Sequence, residues 1–150
     1  MTTTIGTRAP TPLSHPSEDF EDSAKLLLRL TLGCLLLLHG IGKLTGGVDS
    51  ILGAVAQTGL PGSLGYLVYV GEIVAPLLLI FGIWTRAAAV VIAINMMVAV
   101  ALVHMGQLAT LTASGGWQLE LQAFYLATAL GIALLGAGRL SFGGADGRWN

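Results

Sequence analysis

The chain has 150 residues, of which 54% are hydrophobic and only 10% are charged, and its formal net charge is -1. Soluble domains carry about 25% charged residues, so this composition is that of a membrane protein rather than a soluble domain. The small net charge, without any basic run, also makes nucleic acid an unexpected partner.

The first 24 residues are polar, rich in Thr, Ser and Pro, and they end in an acidic patch. They do not resemble a secretory signal, because the segment is acidic and no small-residue cleavage site follows it. We predict a disordered tail over residues 1–24, a membrane domain over residues 25–140 and a second polar tail over residues 141–150.

Four apolar segments divide the membrane domain. A hydrocarbon core of roughly 30 Å requires about 20 helical residues, and the pattern predicts membrane-spanning helices at residues 26–44, 64–84, 87–105 and 119–137. A short apolar stripe between glycines, within residues 45–63, predicts an interfacial helix. The predicted fold class is therefore all-α, an integral membrane four-helix bundle.

The first span combines apolar residues with charged and small ones. At 100° per residue, one stripe of its helix holds Arg29, Gly33, Leu36, Gly40 and Lys43. Charges within a membrane-length segment are costly, so this stripe is expected to face the protein interior. The single cysteine of the chain lies mid-span among leucines and is expected to be a small buried residue, without disulfide chemistry.

Lysine and arginine near the span ends predict the orientation. The N-terminal side, the connection between the second and third spans and the C-terminal side together carry six of these residues, whereas the opposite side carries Lys43 alone. The positive-inside rule then places both termini in the cytoplasm. Small residues at four-residue spacing, such as Ala89 and Ala93, predict close approach of the helices.

Five ionisable residues are expected at similar depth near the outer ends of the spans. They are His39, Lys43, Glu72, His104 and Glu120, and we call them the outer polar layer. Glu72 is the strongest candidate, because it lies among apolar residues roughly 12 Å from the start of its span at 1.5 Å per residue. Pro76, one turn later, frees the Glu72 carbonyl from its helical hydrogen bond. Gln107, Gln118 and Gln122 lie nearby in this layer.

Three kinds of chemistry suit this layer. A quinone could enter from the lipid, accept hydrogen bonds from His or Lys, and exchange protons through Glu72 or Glu120. Two histidines and two glutamates would also suit iron, manganese or zinc, although no His and Glu stand at helical pair spacing. Alternatively, Glu72 pairs with Lys43 or His39 only to hold the helices together.

The ordered set of motifs resembles the DoxX family of small four-span bacterial membrane proteins. The matching pieces run through residues 26–140: RLTLG and HGIGKL in the first span, GLP in the connection, GE and LLLIFGIWTRAAA in the second, then His104, Glu120 and GRLS. The resemblance implies a multi-pass protein of the bacterial inner membrane. It also implies a subunit of a redox system that either transfers electrons toward quinone or anchors a soluble redox partner.

We therefore expect a quinone-interacting redox subunit. Its predicted catalytic residues are Glu72, His39, His104 and Glu120, and its predicted cofactor-binding residues are His39, Lys43 and Glu72. No residue is assigned to a metal. The alternative is a non-catalytic membrane anchor or assembly factor for a partner oxidoreductase. Expected partners are lipid, quinone, a redox protein and a second copy of the chain; a transporter is disfavoured because no internal repeat is evident.

Overall fold

The computed structural model describes residues 16–145 and 147–150. The predicted tail over residues 1–15, together with Asp146, lies outside the described residues. Within them the fold is all-helical, as predicted, with one isolated bridge between Leu111 and Trp117 and no strand. The helices are α1 (Pro16–Gly46), α2 (Asp49–Gln57), α3 (Gly62–Phe81), α4 (Thr85–Gln107) and α5 (Glu120–Leu135).

The first helix begins earlier than the sequence predicts. Residues 16–24, predicted as part of the disordered tail, are helical instead, so that part of the prediction is wrong. Glu18 and Asp19 lie in the first turn, where acidic side chains favour the positive end of the helix dipole. An ion pair between Lys25 and Glu21 (2.7 Å), one turn apart, further stabilises this extension.

Three of the described helices, α1, α3 and α4, are long and apolar enough to cross a membrane. The short helix predicted between the first two spans is present as α2. The fourth apolar helix, α5, has only 16 residues and ends two residues before the predicted boundary. Gly136 and Gly138 follow it with φ of 82° and 74°, a left-handed backbone that terminates a helix.

The core is formed where α1, α3, α4 and α5 meet. The predicted stripe of α1 is confirmed, because Arg29, Gly33, Leu36 and Gly40 are buried and Lys43 is half-buried. Small residues on α4 and α5, among them Ala89, Ala93 and Ala129, are also buried and bring these two helices close together.

The prediction that Cys34 is buried is wrong. Its side chain is exposed on the outer surface of α1. Cys34 follows Leu32 by two residues, or about 200° around the helix, so the two side chains point to nearly opposite sides. Leu32 is buried in the core, and the cysteine consequently lies on the surface that the other helices leave uncovered.

Arg29 is almost completely buried, with 1% of its surface exposed. Its guanidinium donates to four backbone carbonyls: Leu79 (2.9 Å) and Ile80 (3.1 Å) near the end of α3, and Ala137 (2.6 Å) and Leu140 (3.0 Å) beyond α5. These carbonyls belong to helix ends and to irregular backbone, where helical partners are missing. Arg29 therefore satisfies them and fastens three segments together.

Arg86 has a similar role at the start of α4. It donates to the carbonyls of Ala133 (3.0 Å) and Leu134 (2.9 Å) in the last turn of α5, and to the carbonyl of Asn150 (3.0 Å). The Asn150 side chain in turn accepts hydrogen bonds from the backbone N–H (3.1 Å) and hydroxyl (3.0 Å) of Thr85. These contacts hold residues 147–150 against the α3–α4 connection.

Arg139 links the segment after α5 to the first turns of α1. It forms ion pairs with Asp22, Asp19 (2.9 Å) and Glu18 (3.6 Å). Hydrogen bonding to Asp22 raises the pKa of the Arg139 guanidinium above its ordinary value. We call Arg29, Arg86 and Arg139, with the groups that they bind, the arginine end of the molecule.

Candidate functional site

A buried ion pair joins α1 to α3. The Lys43 ammonium donates to both carboxylate oxygens of Glu72. Glu72 is 4% exposed, so its carboxylate has almost no access to solvent. The carbonyl of Lys43 also accepts a hydrogen bond from the Tyr69 hydroxyl (3.3 Å). An ion of either sign is costly in a membrane interior, and this pairing provides the counter-charge.

The backbone around Glu72 departs from α-helical geometry. Val70–Val74 form a π-helical turn, in which the Ala75 N–H bonds to the carbonyl of Val70. Pro76 follows, and because proline has no N–H it leaves the Glu72 carbonyl without its helical partner, as the sequence predicts. Gly40 of α1 packs against that carbonyl so closely that an added Cβ would overlap it. Wide turns of this kind occur frequently at functional sites.

The larger of two adjoining cavities lies between α2, α3 and α4. Its volume is about 950 Å³ and its walls are mostly aliphatic. Only five polar or charged side chains contribute to the lining: Lys43, Ser50, Glu72, Asn95 and His104. An apolar pocket of this size with a few polar groups is the usual form of a site for a lipophilic small molecule.

Asn95 is a member of this site that the sequence did not indicate. It packs against Gly71, where an added Cβ would collide with its amide. Its side-chain nitrogen is buried and has no hydrogen-bond partner in the described part of the chain. Buried donors without an acceptor are uncommon, so this group is a candidate for ligand recognition.

His104 also lies on α4, at the end of a second π-helical turn, Val100–His104. Its Nδ1 is 2.9 Å from the side-chain oxygen of Gln107, and its Nε2 is 3.5 Å from the side-chain nitrogen of Gln122. These two contacts fix the orientation of the imidazole ring between the two glutamine side chains.

A smaller cavity of about 150 Å³ lies on the other side of the ion pair, where α1, α3, α4 and α5 meet. It shares Lys43, Glu72 and His104 with the larger cavity. Its other polar groups are His39, Gln122 and Tyr125. The lysine–glutamate pair thus separates two chambers, one mostly aliphatic and the other richer in polar groups.

His39 and Tyr125 form one side of the smaller cavity. The Tyr125 hydroxyl is 3.4 Å from His39 Nε2, and the two rings meet edge to face with centroids 5.9 Å apart. Tyr125 is buried, whereas His39 is exposed at the rim. The side-chain oxygen of Gln122 is buried here without a hydrogen-bond partner among the described residues. Sequence reasoning missed Tyr125, although its spacing of three from Gln122 puts the two on one helix face.

The structure brings four members of the outer polar layer together and leaves one apart. His39, Lys43, Glu72 and His104 all line the cavities, but Glu120 lines neither. Instead, the Glu120 side chain accepts a hydrogen bond from the Trp117 backbone N–H (2.9 Å) at the start of α5. Glu120 therefore binds the backbone of the loop that precedes α5, and its carboxylate is not among the groups that line the two cavities.

Metal ligation was one alternative for this layer. Within residues 16–145 and 147–150, no group of three or more His, Cys, Asp or Glu side chains is arranged to hold a metal ion. The two histidines engage Tyr125 and the glutamines, and Glu72 engages Lys43. The donor set is therefore organised around hydrogen bonds and one ion pair.

The apolar helices, the buried ion pair and the paired cavities define a helical membrane protein with an internal polar site. The family model DoxX matches residues 24–105, which is more than half of the chain, and the protein belongs to the DoxX family. The matched segment contains His39, Lys43, Glu72 and His104. The comparisons with curated proteins and with solved structures found no match.

Proposed function

We propose that this protein is a subunit of a redox system in the bacterial inner membrane and binds quinone in the larger cavity. The observation that carries the proposal is the polar end of that cavity, where Lys43, Glu72, Asn95 and His104 meet within otherwise aliphatic walls. A quinone has the matching shape, because its ring carries carbonyl acceptors and its tail is apolar.

The residues present fit such a ring. The unpartnered Asn95 nitrogen is a donor without an acceptor, and a ring carbonyl would supply one. Lys43 provides a second donor and a positive charge beside the same space. When bound, the quinone would supply the capacity to accept electrons from a donor on a partner protein. The aliphatic walls of α2 and α3 suit the tail and exclude water.

Glu72 and His104 suit proton transfer at this site. Glu72 is a buried carboxylate that Lys43 holds beside the proposed binding space, and a positioned carboxylate is a common group for proton transfer. The Nδ1 atom of His104 contacts the side-chain oxygen of Gln107 (2.9 Å), which fixes the orientation of the ring, and histidine is a common proton-transfer group. The two groups lie on α3 and α4, on either side of the proposed binding space.

The proposed membrane arrangement has four spans with both termini in the cytoplasm. The six lysines and arginines on one side support this orientation, against Lys43 alone on the other. A helix of 16 residues extends about 24 Å, slightly less than the hydrocarbon core. Residues 136–140 continue from α5, and Arg29 satisfies the carbonyls of Ala137 and Leu140 in this irregular segment.

The test is binding of a short-chain quinone to the full-length protein in lipid nanodiscs. Asn95→Val removes one donor to the ring, and Glu72→Gln removes the carboxylate that holds the Lys43 donor at the cavity. Each change should raise the dissociation constant by roughly tenfold, the equivalent of one good hydrogen bond. Glu120→Gln is the matched control: it makes the same chemical change outside the cavities and should leave the constant unchanged.

The proposal fails if both cavity variants bind quinone as the unaltered protein does, or if Glu120→Gln weakens binding equally. A protein that binds no quinone but co-purifies with a partner oxidoreductase would instead support the anchor or assembly role that the sequence leaves open.

A further inference from the structure

The smaller cavity has features that quinone binding alone does not explain. It holds His39, Gln122 and Tyr125 in addition to the three polar residues that it shares with the larger cavity. Its volume of about 150 Å³ is too small for a quinone ring with a tail but is several times the space that one water molecule needs. A polar chamber of this size is the kind that holds ordered water.

One amide atom in this chamber requires a partner that the described residues do not supply. The Gln122 side-chain nitrogen approaches His104 Nε2, and its oxygen is buried without a hydrogen bond. Exchanging the nitrogen and the oxygen by rotating the amide would only move the unsatisfied position to the other atom. A water molecule satisfies either arrangement, because water both donates and accepts.

The polar side chains of the smaller cavity also follow one another in a continuous row, from the exposed rim to the buried Lys43–Glu72 pair. His39 is exposed, its Nε2 is 3.4 Å from the Tyr125 hydroxyl, and Tyr125 is buried. Gln122 and His104 follow along the same cavity, which ends at the Lys43–Glu72 pair. The ionisable groups that face this space come from all four packed helices: His39 and Lys43 from α1, Glu72 from α3, His104 from α4 and Tyr125 from α5.

We propose that the smaller cavity holds a chain of water molecules that carries protons between His39 at the rim and the Lys43–Glu72 pair. In one transfer, a water in the cavity gives a proton to the Glu72 carboxylate and regains one from the rim through His39. The water is thereby restored, and the Lys43–Glu72 pair holds one additional proton and its charge. The existence of the water chain does not depend on the proposed function. Its use does, because protons delivered to Glu72 would be passed to a quinone in the larger cavity.

The two lysines of the chain provide a direct test. In protein labelled with ¹⁵N-lysine in lipid bilayers, solid-state NMR can follow exchange between water protons and the ammonium groups of Lys25 and Lys43. Lys25 pairs with Glu21 in the first turns of α1, far along the helix from the cavity, and serves as the internal reference. Lys43 reports on the site without any need for quinone or a partner protein.

Gln122→Leu should fill the cavity and remove its amide, and we expect exchange at Lys43 to slow by roughly threefold or more while Lys25 stays unchanged. Tyr125→Phe removes a single hydroxyl, and so provides a milder variant if Gln122→Leu folds poorly; it should slow Lys43 exchange by a smaller factor. Thr128→Val is the matched control, because it removes a hydroxyl from the same helix outside both cavities.

Unchanged exchange at Lys43 in both cavity variants would overturn the proposal, since water would then reach the lysine by another route. Slower exchange in Thr128→Val as well would also overturn it, by revealing a general effect on α5. Quinone affinity should stay within about twofold in Gln122→Leu. If the unaltered protein binds no quinone, the proposed function fails, whereas the exchange measurement still decides the water chain.

Discussion

At the arginine end, Arg29 alone satisfies four backbone carbonyls, and Arg86 and Arg139 are similarly engaged. Around the two cavities, by contrast, the Asn95 nitrogen and the Gln122 oxygen are buried without partners among residues 16–145 and 147–150. Both regions bury polar groups between the same helices. At the arginine end, contacts within this chain satisfy the buried polar groups. Around the cavities, some buried polar groups remain available to a ligand or to water.

This difference distinguishes buried polar groups that stabilise the fold from buried polar groups that can bind a ligand or water. A buried polar network that is fully satisfied fixes the arrangement of its elements. Unsatisfied groups are costly, and they persist in native proteins where a ligand, an ion or water completes them. Each of the following predictions tests one side of this comparison.

The largest effect is expected at Arg29. Arg29→Ala would remove the side-chain donor from two carbonyls near the end of α3 and two beyond α5, and should lower the free energy of unfolding by about 3–5 kcal/mol. Arg29→Lys should recover part of the loss, because an ammonium supplies three donors instead of five. Reversible unfolding in mixed micelles gives the measurement. A loss below about 1 kcal/mol in Arg29→Ala would contradict the structural assignment.

A double-mutant cycle on Lys43 and Glu72 tests the buried pair. Lys43→Met leaves a carboxylate that is almost fully buried without its counter-ion and should cost about 3 kcal/mol of unfolding free energy. Glu72→Gln should cost less, because the lysine side chain is 30% exposed and can extend to the surface. Lys43→Met with Glu72→Gln should recover most of the loss. Additive losses in the double variant would show that the two residues do not depend on each other.

Gly40 and Gly42 form a matched pair on the same helix. Gly40→Ala places a Cβ against the Glu72 carbonyl and should lower the free energy of unfolding by about 1–3 kcal/mol. A Cβ at Gly42 meets nothing within 4 Å, and Gly42→Ala should be neutral or stabilising by about 0.5 kcal/mol, as is usual for glycine within a helix. Equal effects of the two changes would rule out close packing of α1 on the π-helical turn.

The smallest effect is expected at Arg139, whose guanidinium is half exposed and pairs with two exposed carboxylates, Glu18 and Asp19, besides the buried Asp22. Arg139→Gln should lower the melting temperature less than Gly40→Ala does, and the difference from the unaltered protein should shrink in high salt, because exposed pairs are screened. Arg148→Gln is the control, since Arg148 is exposed and stacks on Trp149. A salt-independent loss at Arg139 would mean that its pairs are more buried than the structure indicates.

Much of the fold follows from local pattern. Runs of apolar residues define α1, α3 and α4, and the short stripe between glycines defines α2. The i, i+3, i+4 spacing in α1 identifies the buried stripe from Arg29 to Gly40, because helical geometry alone decides which residues share a face. Helix boundaries were less predictable: α5 ends where two glycines adopt positive φ, and α1 begins within the predicted tail.

The sequence by itself determined that this is a helical membrane protein of the DoxX family whose conspicuous polar residues include His39, Lys43, Glu72 and His104. Periodicity and hydropathy are local properties, so they suffice for that much. Only the tertiary structure decided that Lys43 pairs with Glu72, that Asn95 and Tyr125 join them, and that Glu120 instead binds the Trp117 backbone N–H. Those outcomes depend on how helices rotate and pack against one another, which no single segment specifies.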